Sequence, residues 1–134
     1  MKTPKVTVYI PAYNYAHFLP KAIESVLNQD FDDYELLIIN DASTDNTEEI
    51  ILEYAKRDPR IRYVLNEKNL GVLKTCNRAV ELARGEWLTC LSADDFYLQG
   101  RLSEPMKLIA ANPELDSVFC KIILVDKNDN LLWT

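Results

Sequence analysis

The chain has 134 residues, of which 48% are hydrophobic and 27% are charged, and its formal net charge is −6. These values predict one globular domain over residues 1–134, with a hydrophobic core, and they argue against a disordered chain. The acidic balance argues against a nucleic-acid binder, because such proteins present a basic face to the phosphate backbone.

The sequence contains no apolar run of about 18 residues, the length that a transmembrane helix needs. Its first four residues, Met-Lys-Thr-Pro, lead into a predicted strand without the pattern of a signal peptide. We therefore expect no transmembrane segment and a cytoplasmic location. In a longer protein the chain can still act at the cytoplasmic face of a membrane.

The three cysteines, Cys76, Cys90 and Cys120, are widely spaced and lie in apolar or helical patterns. There is no Cys-x-x-Cys pair, and His17 is the single histidine, so the sequence offers no zinc-binding pattern. We expect three buried free thiols.

Strands and helices alternate along the first half of the chain. Lys5–Ile10 is rich in β-branched residues and predicts a strand that Pro11 ends. Leu19–Asn28 predicts a helix with a proline in its first turn. Tyr34–Ile39 is almost continuously apolar, which is typical of a parallel strand buried on both faces, and Glu48–Lys56 predicts the next helix.

The same alternation continues towards residue 91. Ile61–Leu65 predicts a third strand, and a helix follows that begins near Gly71 and is predicted to end at Gly85. The buried face of this helix is predicted to consist of Leu73, Cys76, Val80 and Ala83. Trp87–Leu91 predicts the fourth strand.

The last 30 residues are less regular. Pro105–Ala111 predicts a helix, and Asp116–Val125 predicts one or two further strands. Asn128, Asp129 and Asn130 predict a turn that leads to a strand at Leu131–Trp133. The sequence thus stops inside or just after a predicted hairpin.

Alternating strands and helices predict an α/β fold with a mostly parallel, Rossmann-like sheet that carries helices on both faces and is truncated at the C-terminus. In such a sheet the loops that follow strands one, two and four lie at the same edge. Ligands of open α/β sheets bind at this carboxyl edge.

Asp94 and Asp95 follow the fourth strand directly. Adjacent carboxylates at a strand end can bind a divalent cation through one side chain and a sugar hydroxyl or a nucleotide through the other. The alternative is that the pair only opens a turn or caps the following helix.

Tyr13 and Asp41 lie in the loops after the first and second strands. An aromatic side chain can form the wall of a base pocket, and a carboxylate can accept a hydrogen bond from a base N–H. Each also has a structural interpretation: Tyr13 as a surface loop aromatic, Asp41 as a cap or turn residue.

Three stretches in this order, VTVYIPAYN, YELLIINDASTDNT and NLGVLKTCNRAVELARGEWLTCLSADD, resemble the N-terminal, nucleotide-sugar-binding half of family-2 glycosyltransferases with a GT-A fold. The likeness extends from about Lys5 to Leu102. The chain is therefore interpreted as the N-terminal part of a longer glycosyltransferase domain.

The resemblance implies site residues and ligands. It places Asp95 as the ligand of a Mg²⁺ or Mn²⁺ ion that bridges the donor diphosphate. Nucleotide-sugar contacts are implied for Pro11, Ala12, Tyr13, Asn14, Asp41, Lys74, Asn77 and Asp94. The donor is expected to be a UDP-sugar, the acceptor a saccharide or a lipid-linked sugar, and the reaction an inverting transfer to the acceptor hydroxyl.

Two positions depart from the family pattern. Many relatives have an aspartate where Ser92 stands, and an arginine is frequent where Cys76 precedes Asn77. Lys74 and Arg78 lie on the same predicted helix and can supply positive charge, although exposed helix positions are commonly charged without a function.

The catalytic general base of the resemblance is expected beyond Thr134, so this chain alone is predicted to bind donor without transferring sugar. Exposed apolar surface on a truncated domain also predicts self-association. Two other functions stay open: a nucleotidyltransferase-like enzyme, or a non-catalytic nucleotide-binding or interaction module. The first normally uses a glycine-rich basic loop after the first strand, and here that loop is Pro-Ala-Tyr-Asn.

Overall fold

The computed structural model describes residues 3–134, which contain a four-stranded parallel sheet, flanking helices and a separate hairpin. The sheet consists of β1 (Val6–Ala12), β2 (Tyr34–Asn40), β3 (Ile61–Leu65) and β4 (Trp87–Cys90). The helices are α1 (Leu19–Leu27), α2 (Thr47–Arg57), α3 (Val72–Leu82) and α4 (Ser103–Ala111). The predicted α/β class with a parallel sheet is confirmed.

The strand order is β3-β2-β1-β4, so β1 pairs with a parallel neighbour on each side. Val6 lies opposite Tyr34 of β2 and opposite Trp87 of β4. The chain moves outward from β1 to β3 and then returns to the other side of β1 to form β4. Where a parallel sheet reverses direction in this way, the loops at the carboxyl ends diverge and leave a crevice, here between β1 and β4.

Pro11 does not end β1, contrary to the sequence prediction, because β1 continues to Ala12 opposite Asn40. The N–H of Leu91 donates to the Tyr9 carbonyl at 2.9 Å, so Tyr9 turns its backbone groups towards β4. Pro11 is two residues on and turns the same way, but it has no N–H to offer. Pairing with β4 therefore stops at Tyr9 opposite Cys90, while pairing with β2 continues.

The two faces of the sheet carry separate apolar clusters. One face packs against α1 and α2, and its buried residues include Val8, Ile10, Leu36 and Ile38 from the strands and Ile23 and Ile51 from the helices. The other face packs against α3 through Leu37, Ile39 and Ala79. Alternation of side chains along β2 supplies both clusters, which explains why all seven of its residues are buried.

The predicted buried face of α3 was wrong. Leu73 and Val80 are 79% and 54% exposed, whereas Thr75 and Ala79 are buried. Thr75, Ala79 and Leu82 also recur at helical spacing, and small side chains at 75 and 79 let the helix backbone come close to β1 and β2. The apolar residues on the other side of α3 are left at the surface.

A buried polar network links the amino ends of the strands. Glu35 is buried, and its carboxylate accepts hydrogen bonds from the Thr7 hydroxyl (2.7 Å), from Arg62 (3.2 Å) and from the Arg84 N–H (2.8 Å). Burial alone would raise the pKa of Glu35, but these donors outweigh it and hold that pKa below 4.5. The carboxylate is thus ionised and paired between three strands and the end of α3.

Gly85 does not cap α3, which ends at Leu82. Its N–H donates to the Thr7 hydroxyl at 2.8 Å, and an added Cβ would lie 2.3 Å from the Thr7 nitrogen. A glycine is needed here because the chain passes directly against the backbone of β1, not because a helix stops.

The hairpin and its turn are as predicted, with β5 (Leu124–Val125) antiparallel to β6 (Leu131–Trp133). Asp126 closes the turn by accepting the N–H groups of Asn128 (2.8 Å) and Asn130 (2.9 Å). The prediction of strand from residue 116 was wrong, because residues 116–123 form no regular element. This stretch lacks a paired neighbour to supply the ladder that a strand requires.

The three cysteines are free, as predicted, but Cys90 and Cys120 are exposed and Cys76 is half-buried. Cys90 lies on the sheet face that α3 covers only over β1 and β2, so β4 stays open there. Within residues 3–134, no helix is both long and apolar enough to cross a membrane.

Glu35→Gln is expected to lower the free energy of unfolding at pH 7 by about 1–3 kcal/mol, because a buried charged partner of Arg62 is lost. The pKa of Glu35 is lower in the folded state. Its contribution is therefore present above pH 4.5 and is lost as the pH falls through the folded pKa. Urea unfolding at pH 7, 5, 4 and 3 should show a shallower acid dependence for the variant.

Glu86→Gln is the matched control, since Glu86 pairs with Lys5 at the surface. It should change stability by less than about 0.5 kcal/mol at each pH. Equal effects of the two substitutions would show that the Glu35 network does not hold the strand ends together.

Candidate functional site

The acidic pair lies at the mouth of the crevice between β1 and β4. Asp94 and Asp95 are exposed and follow β4 through a turn in which the Asp95 N–H donates to the Ser92 carbonyl at 3.1 Å. Cys90 lies opposite Tyr9 at the end of the ladder, so the segments that lead to Asp94 and to Tyr13 leave the sheet at the same edge. The two loops thus follow neighbouring strands, and their convergence on one ligand stays a prediction.

The carboxylates have the chemistry of a divalent-cation site. Partial desolvation and the charge of Asp94 raise the pKa of Asp95, against a smaller opposing effect of Ser92. Within the described part of the chain, residues 3–134, neither carboxylate forms an ion pair with a lysine or arginine, and two adjacent like charges of this kind favour a bound cation. Among residues 3–134, no histidine, cysteine or further acidic side chain forms a group of three possible metal ligands with Asp94 and Asp95. The pair fits Mg²⁺ or Mn²⁺, which bind through one or two carboxylates plus substrate phosphates and water.

The loop after β1 is tied to the loop after β2. The Asn14 N–H donates to the Ser43 hydroxyl at 3.0 Å, and the Asn14 side chain accepts the Thr44 N–H at 2.7 Å. The Asp45 carboxylate accepts a hydrogen bond from the Ala16 N–H at 3.1 Å. It also accepts one from the hydroxyl of Thr47, the first residue of α2. Tyr13 is 42% exposed at the tip of this joined structure, where its ring is free to contact a ligand.

Asp41 is the most buried of the predicted polar site residues, with only 4% of its surface exposed. Its carboxylate accepts hydrogen bonds from the N–H groups of Leu70 (2.9 Å) and Gly71 (3.0 Å) and from the Asn66 side chain (2.7 Å). Burial would raise the pKa of Asp41, but these donors hold it below its usual range. Asp41 therefore fixes the β3–α3 loop as well as facing the carboxyl edge.

Sequence reasoning missed Asn66 as part of this site. Asn66 is buried directly after β3, and its side-chain oxygen accepts a hydrogen bond from Arg78 of α3. Arg78 is thus not a freely solvated helix residue. The signal that could have indicated Asn66 is its position as a polar residue directly after the apolar strand β3. That strand neighbours β2, the strand that leads to Asp41.

The remaining predicted residues are distributed as follows. Ala12 is buried in the cluster beneath α1, so its backbone rather than its side chain faces the edge. Pro11 is half-buried at the end of β1. Lys74 and Asn77 are exposed on α3. Whether these residues contact a nucleotide stays a prediction.

The turn of the hairpin lies near the acidic loop. The side-chain nitrogen of Lys21 in α1 lies over the Phe96 ring, 3.8 Å from the ring centre. The same nitrogen forms an ion pair with Asp129 at 2.5 Å. Phe96 directly follows Asp95. The lysine therefore links α1, the acidic loop and the hairpin.

The family of the chain follows from a comparison of its sequence with known protein families. The model of the family described as Glycosyl transferase family 2 matches residues 7–134. The chain belongs to that family. The resemblance inferred from the three sequence stretches is therefore confirmed.

An uncharacterised glycosyltransferase of Methanocaldococcus jannaschii is 37% identical to this family-2 chain over 134 residues, a match that covers 98% of the chain and 46% of the relative. The chain thus spans less than half the length of that relative.

Two solved structures share the fold. TarS residues 1–349 of S. aureus in complex with UDP superposes with a TM-score of 0.76 at 27% identity, covering 81% of this chain and 33% of the 1–349 chain. A mannosyltransferase of Pyrobaculum calidifontis with GDP-Man and Mn²⁺ gives a TM-score of 0.73 at 26% identity, covering 82% and 33%. The predicted GT-A type of fold is confirmed.

Ala42 offers a direct test of the loop geometry, because it has a φ of 59°, which favours glycine. Ala42→Gly should raise the free energy of unfolding by about 0.5–1 kcal/mol, since relief of the left-handed strain exceeds the added chain entropy. Thermal or urea unfolding measures the change.

Ala110→Gly, at an exposed position within α4, is the matched control. It should lower stability by about 0.5–1 kcal/mol, because a helical alanine gains nothing from added backbone freedom. A loss of stability at both positions would contradict the left-handed conformation of residue 42.

Proposed function

We propose that this chain is the donor-binding part of a longer sugar transferase and that it binds a UDP-sugar together with a divalent cation. The observation that carries the proposal is the change of strand order between β1 and β4, where the loop that holds Tyr13 follows β1 and the loop that holds Asp94 and Asp95 follows β4. Membership of a transferase family and UDP or GDP-Man in two structural neighbours support it. The family match also favours sugar transfer over nucleotidyl transfer.

The cation is proposed to bind Asp95, with Asp94 directed at the ribose or the donor sugar. A bound cation would offset the charge of the diphosphate and stabilise it as a leaving group. An acidic chain needs such help, since its formal net charge of −6 repels a polyanion. The P. calidifontis neighbour contains Mn²⁺, which is consistent with metal use in this family.

The base is proposed to stack on Tyr13 and to donate an N–H to Asp41. The low pKa of Asp41 keeps its carboxylate ionised at neutral pH, so that it can act only as an acceptor. The hydrogen bonds between the loops after β1 and β2 hold the ring and the carboxylate in a fixed relation before any ligand arrives.

We propose that transfer inverts the anomeric centre and that the base which deprotonates the acceptor hydroxyl lies in another part of the full protein. Two of the four carboxylates after α4 are engaged elsewhere: Asp126 accepts three hydrogen bonds within its turn, and Asp129 pairs with Lys21. The acceptor is proposed to be a saccharide or a lipid-linked sugar.

Isothermal titration of the chain with UDP, UTP and a sugar 1-phosphate, each with and without Mn²⁺, tests the proposal. UDP should bind with metal-dependent affinity, because its diphosphate needs the cation. A preference for UTP together with binding of the sugar phosphate would favour a nucleotidyltransferase. Binding without any metal dependence would favour a non-catalytic module.

Asp95→Ala should abolish the gain in UDP affinity that Mn²⁺ produces and should leave the affinity measured in EDTA unchanged. Asp30→Ala removes an exposed carboxylate beyond the far end of α1 and serves as the control. It should retain the full metal dependence. An Asp95 variant whose metal dependence equals that of the control would remove this residue from the metal site.

A further inference from the structure

We propose that Asn66 and Arg78 make the donor site selective for uracil over guanine, because they leave the Asp41 carboxylate with at most one position for a base N–H. The inference rests on the proposed function, since it concerns the base of the same donor. Neither residue needs to touch the nucleotide.

The first step is a count of acceptor positions on Asp41. A carboxylate offers about four lone-pair positions, two on each oxygen. Oδ1 accepts the Asn66 side-chain N–H at 2.7 Å and the Leu70 N–H at 2.9 Å, while Oδ2 accepts the Gly71 N–H at 3.0 Å. Oδ1 is therefore filled, and the open position is on Oδ2.

The Thr75 hydroxyl also contributes to the low pKa of Asp41. A hydroxyl proton can rotate to another acceptor, such as a carbonyl of the preceding helical turn, whereas a backbone N–H cannot turn away. A ligand can therefore displace this contact, whereas the N–H groups of Leu70 and Gly71 stay directed at Asp41, the Gly71 N–H being shared with the Asn69 side chain at 2.9 Å.

Arg78 fixes which end of the Asn66 side chain faces Asp41. A guanidinium group can only donate hydrogen bonds, so the group that faces Arg78 must be the oxygen of the amide. The NH₂ end is then forced towards Asp41, where it fills Oδ1. Asn66 is 6% exposed, which leaves little room for another arrangement.

The bases differ in what they require of a carboxylate. Guanine presents two adjacent donors on its pairing edge and pairs best with both oxygens of a carboxylate at once. Uracil presents a single N–H between two carbonyls, and cytosine presents none at that ring nitrogen. With Oδ1 filled, Asp41 can satisfy uracil but leaves one guanine donor without a partner, which is costly in a buried site.

The test is the ratio of GDP to UDP dissociation constants, measured on the whole chain with Mn²⁺ by isothermal titration. The ratio cancels the contributions of the diphosphate, the ribose and the metal, so it reports on the base alone. The unmodified chain should prefer UDP over GDP by about tenfold or more, with CDP weaker than UDP.

Asn66→Ala should reduce this preference to about threefold or less, because GDP gains the freed Oδ1. Arg78→Met should shift the ratio in the same direction by a smaller factor, since it removes one of the two contacts that hold the Asn66 amide in place. Lys68→Met removes a like charge from the neighbouring β3–α3 loop and should leave the ratio unchanged. Circular dichroism checks that each variant is folded, and Arg78→Met carries the test if Asn66→Ala does not fold.

An unchanged ratio in folded Asn66 and Arg78 variants would overturn the inference, as would a preference of the unmodified chain for GDP. In both cases nucleotide binding itself would survive, so the proposed function would stand. Absence of any nucleoside diphosphate binding by the unmodified chain would instead overturn the proposed function and this inference with it.

Discussion

The position of β1 between two parallel neighbours is the constraint on which the rest of the structure depends. β1 sets the register of β2 and β4 at once, and thereby the level at which three loops leave the sheet. The pairing of β1 with β4 then ends earlier than its pairing with β2, because Pro11 has no N–H to offer to β4. The crevice opens where the pairing with β4 stops, between the loop that holds Tyr13 and the loop that holds Asp95.

The two ends of the sheet use buried carboxylates in different ways. At the amino end, Glu35 is surrounded by donors from three segments and serves only to hold them together. At the carboxyl end, Asp41 organises the β3–α3 loop but keeps an acceptor position open. Under the proposed function, this one side chain would serve both stability and recognition.

The sequence predicted the four strands, the four helices and the hairpin because each has a local cause: apolar runs, a proline in a first helical turn, or clustered turn residues. It did not predict which face of α3 is buried, because residues 73, 76 and 80 and residues 75, 79 and 82 both recur at helical spacing. Size decided the outcome, since Thr75 and Ala79 allow the closer approach. The partners of Asp41 were beyond prediction, because Asn66 reaches Asp41, and Arg78 reaches Asn66, only through the packing of β3 and α3 on β2.

The order of strands in the sheet also has a consequence for the nascent chain. Val6 of β1 precedes its partner Tyr34 in β2 by only 28 residues. The other edge of β1 pairs with β4, where the partner of Val6 is Trp87, 81 residues further along the chain than Val6. At the speed of a ribosome, the interval between completing β2 and completing β4 is on the order of several seconds. During this interval one long edge of the central strand is exposed to other chains. Thr7, whose hydroxyl later accepts a hydrogen bond from the Gly85 N–H, places a polar side chain on β1 while that edge is unpaired.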